Sequence, residues 1–118
     1  LLNEEELAQA VAAACLDEKA VDVVILDVNE LTIITDYFVI ATARSRVQVQ
    51  NIVEMVQERL KEFNILPSRV EGVEQGNWAV MDYSSTILHV FQPEEREYYD
   101  LENLWGDAKE VDVNESYA

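Results

Sequence analysis

Three acids at the ends of strand-like segments, Asp36, Glu71 and Asp82, and a single histidine, His89, are the residues of this chain whose types could do chemistry. Carboxylates brought together from strand ends can hold metal ions for nucleotidyl or phosphoryl transfer, or pair with basic groups of a partner. Taken one at a time, such acids more often form turns or solubilise a surface. Only Gly72, Gly76 and Gly106 are present, and none lies in a glycine-rich phosphate loop between a strand and a helix. A nucleotide site of that kind is excluded. Zinc would have to be held by His89 and carboxylates alone, because no Cys or His cluster exists. His89 reads better as a hydrogen-bonded strand histidine between Ile87 and Phe91.

Aromatic residues surround these groups. On a strand, Trp78, Val80 and Asp82 share one face, and Ala79, Met81 and Tyr83 share the other. A Trp beside a carboxylate on one face has the composition of an interface anchor with a polar rim, although Trp78 could equally cap the core. Further on, Arg96, Tyr98, Tyr99, Leu101, Glu102, Leu104 and Trp105 form an apolar and charged mixture. Leu104 and Trp105 are expected to dock on the sheet. Tyr98 and Tyr99 cannot face the same way on a helix, so at least one should meet solvent or a partner.

Charge narrows the partners. Eight Lys and Arg against 24 Asp and Glu give a net charge of -16, which repels a phosphate backbone and attracts a basic protein. Direct nucleic-acid binding is disfavoured. The lone Cys15 permits no internal disulfide and reads as packing in an Ala-rich helix. No apolar run approaches a membrane span, and the acidic start is unlike a signal peptide. A cytoplasmic protein is the expectation. Because the chain does not open with Met, an upstream segment and an organellar origin stay open.

The elements that must position these residues emerge from the pattern. Asn3 with Glu6 suggests the cap of a helix ending near residues 17–19. Residues 21–28 read as a strand, and the nearly continuous apolar run 37–43 as a central strand covered on both faces. Ser45 with Gln48 opens a long helix marked by Val49, Ile52, Val53, Val56, Leu60 and Phe63. Residues 69–73 form a short strand, and the strand, helix, strand order predicts a right-handed crossover with parallel strands. Residues 78–83 and 86–91 form an antiparallel hairpin, and Pro93 begins a short C-terminal helix. The expected fold is a single α/β domain over 1–106 with a mixed five-stranded sheet flanked by helices. Residues 107–118 are expected to be an acidic flexible tail.

The pieces Glu71-Gly72, Asn77-Trp78-Ala79-Val80-Met81-Asp82-Tyr83 and Thr86-Ile87-Leu88-His89-Val90-Phe91 stand between Thr35-Asp36-Tyr37-Phe38-Val39-Ile40 and Tyr98-Tyr99-Asp100-Leu101-Glu102-Asn103-Leu104-Trp105. In order and spacing, over roughly residues 7–106, this resembles the ribosomal silencing factor family, also called Iojap-like proteins. The resemblance implies a nucleotidyltransferase-like sheet topology without the chemistry. Those enzymes need a Gly-Ser loop and a D-x-D pair, and neither occurs in residues 1–106; the nearest approach is Glu110-Val111-Asp112. A metal-dependent transferase using Asp36, Glu71 and Asp82 is therefore the competing reading, and no enzyme and no cofactor is expected. The resemblance implies binding to the large ribosomal subunit through its fourteenth protein, with little direct rRNA contact, blocking the small subunit and repressing translation. Guarding large-subunit assembly is the alternative role, and a homodimer is left open. Trp78, Asp82, Tyr83, His89, Asp36, Glu71, Arg96, Tyr98 and Tyr99 are the candidate partner-binding residues. Arg44 and Arg46 flank Ser45 where the family usually has a Gly-rich turn, so no contact is carried over to that loop.

Overall fold

The computed structural model describes residues 1–114. The first helix, α1 (Glu4–Asp17), opens with the expected capping box, in which Asn3 and Glu6 each accept the other's backbone N–H. Such a cap stabilises a helix by about 1 kcal/mol. Strands β1 (Val21–Asp27) and β2 (Tyr37–Thr42) come next, then α2 (Arg46–Lys61), capped by Ser45. Val49, Ile52, Val53, Val56 and Leu60 are the buried stripe of α2, whereas Phe63 lies past its end and is 45% exposed. The rest of the chain forms β3 (Arg69–Glu71), β4 (Trp78–Asp82), β5 (Thr86–Phe91), α3 (Pro93–Tyr99), the single turn α4 (Leu101–Leu104) and β6 (Lys109–Val111).

Among the described residues the sheet has six strands, not five, in the order β3-β4-β5-β2-β1-β6. Among the described residues only β2 and β5 pair in parallel; every other neighbouring pair is antiparallel. Strand β3 therefore runs parallel to β2 but two strands separate them, so the helical crossover does not join neighbours. The sixth strand comes from the segment expected to be a tail. Lys109–Val111 pairs with Ile25–Asp27, and the Gln9 amide on α1 grips the backbone just beyond: its Nε2 donates to the Asp112 carbonyl at 2.7 Å, and its Oε1 accepts from the Asn114 N–H at 2.6 Å. Three residues of strand are marginal alone, and a buried side-chain clamp supplies what the apolar content does not. Residues 115–118 of the expected tail lie outside the described residues.

The two faces of the sheet are covered unequally. Helices α1 and α2 cover one face, over a core that includes Val11, Ile25, Val39, Val49, Ile52, Val56, Leu60, Met81, Leu88 and Val90. The other face carries Leu26, Phe38, Ile40, Ile87 and Phe91, against which Leu101 and Trp105 pack. Two short helices cannot blanket six strands. The β4 side of this second face consequently stays partly open, with Trp78, Val80 and Asp82 intermediate in exposure while Ala79 and Met81 behind them are buried.

A candidate aromatic interface on the second sheet face

Alternation along β4 and the register of the hairpin decide what meets what. Trp78 lies opposite Phe91, Val80 opposite His89, and Asp82 opposite Ile87. The parallel pairing of β5 with β2 then sets Ile87 beside Phe38 and His89 beside Ile40. One row of the face therefore runs Asp82, Ile87, Phe38, and the next runs Val80, His89, Ile40. The turn that leads into β4 is built on Gly72, whose φ of +81° suits glycine and whose missing Cβ would stand 2.0 Å from the Trp78 carbonyl oxygen.

Trp78 is packed on three sides. Its ring centroid is 5.0 Å from that of Phe91 and 4.4 Å from that of Tyr99, and its indole N–H donates to Nδ1 of His89 at 3.1 Å. His89 meets Phe38 edge-on at 5.4 Å, and Phe38 in turn lies 5.2 Å from Trp105. These rings form one continuous tract from β4 across β5 and β2 to the C-terminal turn. Contacts of this kind add about 0.5–1.5 kcal/mol each beyond area burial. Trp78 is thus both a part of the core's edge and a part of the open face.

His89 is 9% exposed and, as a hydrogen-bonded strand histidine, sits as the sequence suggests. Burial among these rings lowers its pKa to about 4, so the imidazole is neutral at pH 7. Because Nδ1 accepts the Trp78 proton, the imidazole's own hydrogen is on Nε2. Tyr83 is a correction to the expected contact set. It points to the α1 and α2 face, is 6% exposed, and burial pushes its pKa up to about 12. Its hydroxyl is enclosed and makes no hydrogen bond among the described residues, which places this side chain in the core and not on the open face.

Arg96 is also internal. Its guanidinium donates to both carboxylate oxygens of Glu102, at 3.3 and 2.7 Å, to the Asp22 carbonyl at 2.6 Å and to Thr42 Oγ1 at 2.8 Å. With its side chain 12% exposed, it fastens α3 and α4 to β1 and β2, and four of its five N–H donors are spent on these internal acceptors. Asp22 takes the left-handed conformation (φ 52°), beside the register shift in β1, and its carbonyl receives the arginine. Tyr98 is 82% exposed, whereas Tyr99 is 46% exposed and lies on Trp78. Leu104, expected in the core, is 72% exposed because the single turn of α4 directs Leu101 and Trp105 inward instead.

The three acids rim the face separately. Asp82 accepts the Ser84 N–H at 2.8 Å, Asp36 accepts from the Asn29 amide at 2.5 Å, and Glu71 faces Arg69 at 3.6 Å on the open edge. Among the described residues no three His, Cys, Asp or Glu side chains come together in a group that could hold a metal ion. Sequence reasoning passed over Phe38, Ile87 and Phe91 as members of this face. Their parity within each strand was readable, but the register between strands was not. It also passed over the loop before β2, where Ile33 is 104% and Ile34 68% exposed.

Comparison with known proteins agrees with this architecture over its full extent. The family model described as "Ribosomal silencing factor during starvation" matches residues 2–118. The Bacillus subtilis protein named Ribosomal silencing factor RsfS is 35% identical over 113 residues, covering 96% of this chain and 96% of its own. A crystal structure of a Chromobacterium violaceum protein superposes with a TM-score of 0.87 at 32% identity, covering 99% of this chain and 100% of that one. The mouse protein named Mitochondrial assembly of ribosomal large subunit protein 1 is 33% identical over 94 residues, which are 75% of this chain and 40% of its own length. With matches spanning both the helical layer and the aromatic face, this chain belongs to the ribosomal silencing factor family, the Iojap-like proteins.

Proposed function

We propose that this protein binds the large ribosomal subunit through that subunit's fourteenth protein and, by occupying the face that meets the small subunit, blocks subunit joining and represses translation. The observation that carries the reading, beside family membership, is the half-open aromatic face of β4 and β5. It joins a rigid apolar floor to the acids Asp82 and Glu71 at its border. Rigid aromatics in a partly desolvated setting, rimmed by charge, are what a protein interface uses as anchors. A net charge of -16 favours a basic ribosomal protein and disfavours rRNA phosphate, so contact is protein to protein with RNA alongside. Occupancy is sufficient; no reaction is required.

Sedimentation with purified subunits tests the proposal. The protein should travel with the large subunit and not the small one, and its addition should reduce the yield of joined ribosomes. Equal binding to both subunits, or to neither, overturns the reading. The name of the mouse relative favours a second role, in large-subunit assembly. That role predicts accumulation of the protein on immature large-subunit particles and their build-up when it is depleted. A transferase is the third outcome: a clear rise in melting temperature on adding nucleotide with magnesium would favour it.

A further inference from the structure

His89 is held between two roles that its two nitrogens divide. Nδ1 is occupied by the Trp78 indole N–H, which leaves the hydrogen on Nε2. That Nε2–H has no hydrogen-bond partner among the described residues. Neither is it one of the enclosed polar atoms without a partner, which are Tyr83 Oη and Thr86 Oγ1. Nε2 therefore keeps some of the residue's 9% exposure, a donor that reaches solvent at the floor of the open face, between Val80 and Ile40 in the sheet and beside Phe38. In the free protein, water can satisfy it. A docked partner expels that water, and a buried donor left without an acceptor costs about 1–3 kcal/mol.

We propose that the Nε2–H of His89 is a specificity-determining donor of the interface, donating to a carbonyl oxygen that the ribosomal partner inserts beside Trp78. This rests on the large-subunit reading above. The acceptor's class is set by charge: the imidazole is uncharged, and a chain of net charge -16 repels a carboxylate or phosphate oxygen. A neutral carbonyl needs no compensation. Partners of similar shape lacking that oxygen are rejected, because they would strand the donor.

Two substitutions separate the nitrogens. His89→Asn retains an acceptor near the Nδ1 position for Trp78 and removes the outward donor; His89→Gln retains an outward N–H donor near the Nε2 position. Affinity for large subunits, corrected for folded fraction from a urea melt, should fall about tenfold in His89→Asn, and His89→Gln should recover most of it. Wild-type affinity in His89→Asn, or equal losses in both, overturns the proposal. A second readout needs no variant. His89 is the sole histidine, so ¹⁵N-histidine labelling yields one imidazole spectrum. On adding the isolated fourteenth ribosomal protein, the Nε2 proton should move downfield and resist exchange while Nδ1 stays unchanged; an Nε2 proton indifferent to the saturated complex overturns the proposal. Failure of the parent reading looks different, since the wild-type protein would then not sediment with large subunits at all.

Discussion

Acid should destabilise this protein through His89, and the size of that effect is set by where the imidazole sits. Its pKa drops from the ordinary 6.5 to about 4 because burial among Trp78, Phe38 and Phe91 disfavours the imidazolium. The folded protein therefore refuses a proton that the unfolded chain accepts below pH 6.5. Above that pH neither state is protonated and no energy is lost. Between pH 6.5 and about 4 the unfolded state binds more protons, so stability declines as pH falls, and below about 4 the loss levels off. At 1.36 kcal/mol per pKa unit the total is roughly 3 kcal/mol, a large share of a domain's usual 5–15 kcal/mol. Urea unfolding at pH 7, 6, 5 and 4.5 should be run on the wild-type protein and on His89→Asn. Every other group is common to both proteins, so the difference between the two curves isolates the imidazole. That difference should narrow by roughly 2 kcal/mol or more between pH 7 and 4.5. Parallel curves would show that His89 takes up its proton in the folded state without cost, which would refute both its burial and the hydrogen bond from Trp78.

Three other substitutions probe the same face. Trp78→Ala removes the stacking on Phe91 and Tyr99 and should cost about 2 kcal/mol in a urea melt while weakening large-subunit binding at least about thirtyfold; binding per folded molecule at wild-type strength would make Trp78 purely a core residue. Arg96→Met leaves Glu102, Thr42 and the Asp22 carbonyl without their donor and should cost about 3 kcal/mol, read as a lower melting temperature with the fold otherwise intact. Asp82→Lys should impair binding to the fourteenth ribosomal protein more than Asp82→Asn does, since it turns attraction into repulsion. Tighter binding of the lysine variant to intact subunits, without change toward the isolated protein, would mean that this edge faces RNA.

Local pattern alone carried α1, α2, the β4 and β5 hairpin and the start of α3, because capping boxes, a 3.6-residue stripe and a two-residue period are properties of neighbours in the chain. It carried the alternation that separates Trp78 and Asp82 from Tyr83, and the hydrogen-bonded state of His89. The family, too, was legible in the order of short motifs. Other features depended on residues far apart in sequence. Lys109–Val111 became a strand because Ile25–Asp27 left an edge open and Gln9, a polar residue buried at a helical position, clamps the Asp112 carbonyl. Arg96 was a candidate partner-binding residue in the sequence, and only the fold brought Asp22, Thr42 and Glu102 around it. Strand parity assigns a side chain to one of two faces, but only packing says which face is covered and in what register strands meet. For that reason composition could nominate an aromatic anchor and acidic rim, while tertiary structure alone decided that Trp78 and His89 share a hydrogen bond and that Tyr83 is sealed behind them.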